Sequence, residues 1–248
     1  HAQYSLRDPR RDRKAGRIWR IVPKGAKLAE SPRIAEASID ELFEHLKSPL
    51  YRTRYRAKLE LRARDRDKVY HYLIAWRKDL KSPLHLLEAL WLQQELSAPI
   101  LSDGNLEILE SLIHGEDPLV AASAFGALRF ATAPPARLEK LLRFGAEHSS
   151  QHVRREALIC ASYALSSTSN PDPLAVDITS GRRKAIIRAV MPALDKPAGT
   201  HLAYAIRTSF NSAALKPYWP EGTAAKLANL GKATGPVVAK ATREERKF

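Results

Sequence analysis

The chain has 248 residues, of which 44% are hydrophobic and 27% charged, enough for one large domain or two small ones with a core of their own. Its longest apolar stretches, such as LLEALWLQ at 86–93, fall well short of the roughly 20 residues that a membrane-spanning helix needs. A single cysteine, Cys160, excludes an internal disulfide, a CxxCH haem attachment and a cysteine-based zinc site.

The formal charge of +14 is unevenly spread, and its position matters more than its total. Residues 1–33 carry ten Lys/Arg against three Asp/Glu, residues 216–248 seven against three, and residues 47–81 twelve against four. The rest of the body is slightly acidic, so an electrostatic contact surface is expected on the N-terminal third and the two tails.

Residues 7–25, RDPRRDRKAGRIWRIVPKG, run from a strongly charged segment into a strand-like hexapeptide at 17–22. One isolated strand leaves its backbone donors and acceptors without partners, so this strand is expected to complete a sheet supplied from elsewhere. Residues 1–30 are accordingly read as a terminal strand and linker.

From there a capping residue followed by proline recurs at Ser31–Pro32, Ser48–Pro49, Ser82–Pro83 and Asp117–Pro118, with a further proline pair at Pro134–Pro135. The side-chain oxygen accepts from a free helix N–H, while Pro fits the first helical position, where its missing N–H costs nothing. With Asp65, SDGN at 102–105 and HSSQ at 148–151 added, the starts recur about every 17 residues, and two such steps make a helical hairpin of about 34 residues. Apolar positions agree: Ala57, Leu59, Leu61 and Ala63 in one helix, Leu86, Leu87, Leu90 and Trp91 in the next, and Leu106, Leu109, Leu112 and Ile113 in a third.

DPLVAASAFGALRFA at 117–131 and SSQHVRREALICASYAL at 149–165 each follow a turn with Val and small residues, and are similar to HEAT repeats. Beyond them, SSTSNPDP at 166–173 reads as a loop, 180–194 and 200–213 as helices, and KPYWPEG at 216–222 as a proline-bounded turn. The expected fold is all-α: an α-solenoid of HEAT-like hairpins over 31–222, with a short N-terminal β-strand and an irregular tail at 223–248.

The opening segment, with His1 and Gln3, resembles the last strand of the six-bladed, sorbosone-dehydrogenase-like β-propeller of large planctomycete-type proteins. These are labelled membrane-bound dehydrogenases or haem-binding CxxCH proteins, and their terminal strand reads GRIYRI or GRIWRI. There the propeller is followed by HEAT repeats and usually by a c-type cytochrome. LKSPLYRTRYRAKLELRAR at 46–64, SPLHLLEALWLQQEL at 82–96 and SSQHVRREALICAS at 149–162 match the same succession, and LKPYWPEG at 215–222 is similar to the segment that closes its repeat region.

The resemblance thus covers about residues 1–222. It implies the helical middle or C-terminal portion of a larger, exported or periplasmic protein, as a fragment, a processed product or a separate subunit, with a protein partner or covalently linked propeller and cytochrome domains. Haem c, and a quinone cofactor or calcium, would belong to that parent assembly, a quinone- or haem-linked dehydrogenase. The matched stretches contain no CxxCH and no propeller, so no catalytic, cofactor or metal residue is carried over.

Two segments are candidate docking residues: Arg17, Ile18, Trp19, Arg20 and Ile21 of the strand, and Arg52, Arg54, Arg56 and Lys58 of the run YRTRYRAKLELRARDRDK at 51–68. On a helix Arg52, Arg56 and Leu59 fall on one side and Arg54, Lys58 and Arg62 on another, so the charge is spread. A solvated face or a docking surface for an acidic domain is favoured over DNA, and Asp65 reads as a helix cap.

YHYLIAWRKDL at 70–80 gathers Tyr70, His71, Tyr72, Trp76 and Asp79. Its aromatic residues are read as inter-helix core. The alternative is a basic HEAT-repeat nucleic-acid-binding protein, such as an alkylated-base DNA glycosylase that stacks bases on a basic concave face. His148 and His152 straddle a turn and are read as turn residues and not ligands, and Cys160 as a buried apolar thiol. No GxSxG, P-loop or GxGxxG pattern occurs.

Overall fold

The computed structural model describes residues 24–25, 32–96, 103–131, 133–166, 180–213 and 215–230. The chain divides into two compact units, residues 1–33 and 34–248. In the first, the described residues include a turn at 24–25, where Gly25 takes φ 79°. The strand expected at 17–22, with Arg17, Ile18, Trp19, Arg20 and Ile21, lies outside the described residues.

The second unit is all-α among its described residues. Its helices are α1 (Ile39–His45), α2 (Tyr51–Ala63), α3 (Arg66–Lys78), α4 (Pro83–Leu96), α5 (Asp103–Ile113), α6 (Pro118–Leu128), α7 (Pro135–Glu147), α8 (Gln151–Ser166), α9 (Ser180–Val190), α10 (Thr200–Phe210) and α11 (Thr223–Asn229). Hairpins form as α1 on α2, α3 on α4, α5 on α6 and α7 on α8, while α2, α4, α6, α8 and α10 pack in succession. This even layer and its odd-numbered counterpart give the solenoid-like arrangement expected from the sequence.

Several helices begin where their caps predict. Asp65 accepts from the Lys68 N–H at 2.9 Å ahead of α3, and Asp117 from the Leu119 N–H at 2.8 Å ahead of α6, with Pro118 in its first turn. The two earliest starts move. After Pro32 the chain makes only a 3-10 turn, Ile34–Glu36, and α1 begins behind Ser38, which exchanges hydrogen bonds with Glu41 in a capping box. Two reciprocal bonds satisfy more helix donors than one Ser-Pro pair can. At α2, Ser48 Oγ accepts from the Leu50 N–H in a turn one step before the helix.

The C-terminal end also departs from expectation. α9 stops at Val190 and continues as a 3-10 turn, Met191–Asp195, because Pro192 has no N–H for the α-helical ladder. Residues 223–229, read as irregular, form α11. Gly222 at φ 80° turns the chain, the Thr223 hydroxyl donates to the Pro220 carbonyl at 2.7 Å, and Leu227 and Leu230 are buried in the core. Residues 167–179, with most of the expected loop, and 231–248 lie outside the described residues.

A register shared by α2, α4, α6 and α8 gives the repeat a physical basis. The seventh residue of α2, α4, α6 and α8 is in each case a fully buried alanine: Ala57, Ala89, Ala124 and Ala157. A methyl side chain at the point of contact lets neighbouring helix axes come close. The eleventh residue, Leu61, Gln93, Leu128 or Ala161, is buried too. In α2 and α8 the fourth residue is arginine, and the two make the same contacts. Arg54 Nη1 donates to the carbonyls of Ser48 and Pro49, and Arg154 Nη1 to those of His148 and Ser149, six and five residues back in each case.

The apolar interior falls into two clusters. One joins α1, α2 and α3 through Leu42, Phe43, Leu46, Leu61, Val69 and Leu73. The other runs from α4 to α11. α4 serves both, giving Ala89, Leu92 and Leu96 to the first and Leu87 and Leu90 to the second, which explains why it is apolar nearly all round. Among the described residues no helix is long and apolar enough to cross a membrane.

Candidate functional site

On α2, Arg54, Lys58 and Arg62 are spaced by four and share one face; on α4, Glu88, Trp91 and Glu95 do the same at spacings of three and four. The two rows meet. Arg54 Nε lies 2.7 Å from Glu88 Oε1, Lys58 Nζ 2.8 Å from Glu88 Oε2, and Arg62 Nε 3.6 Å from Glu95. The Glu88 side chain is only 1% exposed. A carboxylate so deep in the fold is tolerated because two cations flank it and the Arg54 Nε–H donates to it in place of water.

Of the four candidate docking residues in the 51–68 run, Arg54 and Lys58 are therefore engaged inside the fold. Arg52 and Arg56 are exposed, and neither meets a carboxylate among the described residues. By the shared register they occupy the second and sixth positions of α2, which His152 and Glu156 hold in α8.

Lys58 Nζ also sits 5.2 Å from the centre of the Trp91 ring, a cation–π contact. Half-buried Trp91 separates two hollows on the even layer. One, of about 430 Å³, is lined by Lys58, Gln94, Glu95 and Phe130 as well as Trp91. The other, of about 320 Å³, is lined by Ala122, Ser123 and Gly126 of α6 and by His152, Arg155 and Glu156 of α8. The small side chains of α6 leave this space open; a Cβ on Gly126 would meet nothing within 4 Å.

Past the second hollow the pattern of two cations on one carboxylate returns. Glu156 is paired with Arg129 and, at 2.9 Å, with Arg155. The Arg129 guanidinium lies 5.8 Å from the centre of the Tyr163 ring, and Tyr163 meets Phe130 edge to face at 6.0 Å. Phe130 and Tyr163 are both exposed.

The aromatic segment of α3 splits. Trp76 packs at 5.1 Å against Phe43 in the N-terminal cluster, as the core reading expects. Tyr70 and Tyr72 are instead exposed, because α3 buries only the face carrying Val69, Leu73 and Trp76. His148 and His152 are engaged separately: His148 Nδ1 accepts from the Ser150 N–H at 3.0 Å, and His152 is exposed on α8. Among the described residues no group of three His, Cys, Asp or Glu could hold a metal ion. Cys160 is fully buried, and burial pushes its thiol up to about 12, so it stays protonated and inert.

Sequence reading missed Glu88, Arg129, Arg155 and Glu156. The buried-alanine register was the signal that could have found Glu88, Arg155 and Glu156, since it places sixth residues Glu88 and Glu156, and fifth residue Arg155, beside the shared contact line. No family model, curated protein or solved structure matches the chain.

Proposed function

We propose that this chain is a non-catalytic scaffold of HEAT-like hairpins that docks protein partners within a larger, exported, oxidoreductase-like assembly. The observation that carries the reading is the pairing of charge on the even layer. Arg54, Lys58, Arg129 and Arg155 are each bound to a carboxylate of the chain itself, while Phe130 and Tyr163 are left exposed. A surface that holds nucleic acid keeps its cations open to phosphates and its aromatic faces open to bases. Here Lys58 already covers part of Trp91. Exposed aromatic side chains, arginines and internally paired charges suit a protein interface better.

The propeller and c-type cytochrome partners rest on the resemblance of the stretches at 7–25, 46–64, 82–96, 149–162 and 215–222. In such an assembly haem c, and a quinone cofactor or calcium, are held by those partners, and export follows from theirs. A stack of repeats suits the role because it presents a long, rigid face without any catalytic group.

Native mass spectrometry with a visible absorption spectrum, on undenatured material from the source, tests this. The expected result is a complex with a propeller-containing partner and a haem band. A colourless species of 27.7 kDa that binds duplex DNA with steeply salt-dependent affinity would overturn it.

A further inference from the structure

We infer that the groove on either side of Trp91 docks an extended, acidic segment of a partner protein, with a carboxylate toward each end and an apolar side chain between them at Trp91. This rests on the protein-docking reading above and names the surface and the chemistry of its occupant.

Charge complementarity selects the occupant. At one end Arg54 and Lys58 share the single carboxylate of Glu88; at the other Arg129 and Arg155 share that of Glu156. Each cluster keeps one positive charge in excess. The exposed Arg52 and Arg56, on another side of α2, meet no carboxylate among the described residues and add to the field at that end. Glu95 is matched by Arg62, at 3.6 Å. The groove is thus positive at both ends, with hollows and half-buried Trp91 between them.

Geometry sets the length of the segment. One cluster lies between α2 and α4, the other between α6 and α8, two helix steps apart along the layer. Packed helices are about 8–10 Å apart, so the clusters are separated by roughly 16–20 Å. An extended chain covers that distance in about five or six residues at about 3.3 Å each. Between the clusters the segment passes over Trp91, and the hollows on either side of that ring can take an apolar side chain. The cations are largely satisfied within the fold, so they offer a directional field and few open N–H groups. That favours a short segment carrying two well-spaced carboxylates over a continuous polyanion.

The test uses the full chain and fluorescein-labelled synthetic peptides read by anisotropy. The probe has two glutamates six residues apart with phenylalanine midway; controls have them two apart, or replaced by lysine. The expected result is that the six-apart peptide binds at least roughly tenfold more tightly than either control, and that salt weakens it. Arg155→Glu and the double variant Arg52→Glu/Arg56→Glu, with unchanged circular dichroism, each weaken it by roughly tenfold. Trp91→Ala removes the preference for phenylalanine over glycine at the middle position.

Equal affinity for all peptides overturns the inference, as does affinity untouched by both charge reversals. So does a labelled duplex DNA that displaces the six-apart peptide and binds more tightly. If native mass spectrometry retains the partner while the peptides fail, the groove assignment is wrong and the scaffold reading stands. If no protein partner is retained, the scaffold reading itself fails.

Discussion

The junction of α2 with α4 and the junction of α7 with α8 obey one repeat pattern but are held by different chemistry. Between α2 and α4 the helices meet along ion pairs that converge on buried Glu88. Between α7 and α8 the closest approach is at a residue with no side chain: a Cβ added to Gly145 would lie 2.5 Å from Ala157 Cβ and 2.6 Å from the Phe125 ring. A buried seventh-residue alanine is common to both, Ala57 and Ala89 in the first and Ala157 in the second. The positions around that alanine are filled by charge at one junction and by close apolar contact at the other.

The sharpest way to break this comparison is to remove the carboxylate of the charged junction. Glu88→Ala leaves Arg54 and Lys58 facing each other across a buried gap, and is expected to cost about 3–5 kcal/mol in urea unfolding. A loss below about 1 kcal/mol would mean that the cations relax into solvent and that the junction rests on Ala57 and Ala89 alone. Gly145→Ala probes the other junction. With the Ala157 methyl and the Phe125 ring already at contact distance it is expected to cost about 1–3 kcal/mol, by the same denaturation, with no dependence on salt. The Glu88 pairs are buried and little screened, so the loss in Glu88→Ala should also change little with salt.

A smaller effect is expected at the N-terminal edge. Ser38→Ala removes half of the capping box and should cost about 1 kcal/mol. Because each repeat touches only its neighbours, hydrogen exchange should speed up in α1 and α2 and leave α7 and α8 unchanged. Faster exchange throughout would show one cooperative unit in place of a graded stack.

The smallest effect sharpens the comparison through pH. Burial first, then Arg154 and Lys196, hold the His148 imidazole below its ordinary 6.5. The unfolded chain therefore binds that proton more readily, and stability is lost as pH falls from about 6.5 toward the lower folded value. His148→Asn keeps an acceptor for the Ser150 N–H but has no proton to gain. It should match wild type near pH 7.5 and be the more stable of the two near pH 5.5, as read by thermal unfolding.

Much of the fold was legible because caps and prolines act locally: Asp65, Pro83, Asp117 and Pro135 mark helix starts in sequence as they do in structure. The start of α1 was misplaced because Ser31–Pro32 and Ser38 carry competing signals, and only the reciprocal bond from Glu41 decides between them. The groove was far less legible. Arg54 and Arg56 look alike in a run of alternating arginines. What separates them is Glu88, 34 residues away, and the partners of a charge are set by packing across helices, which no local pattern records. Tyr72 and Trp76 differ in the same way, one exposed and the other packed on Phe43.

The paired arginine contacts of α2 and α8 also describe a gauge. Arg54 and Arg154 grip the turn before their own helices in identical fashion, with α4 and α6 between them along the layer. Distances along this face are thus counted in whole helices, each about 8–10 Å. Adding or removing one hairpin would move the two carboxylate clusters by one such increment and leave every contact within them intact. The span of what the molecule grips is in that sense digital: it can be reset by repeat number, without redesigning a single side chain.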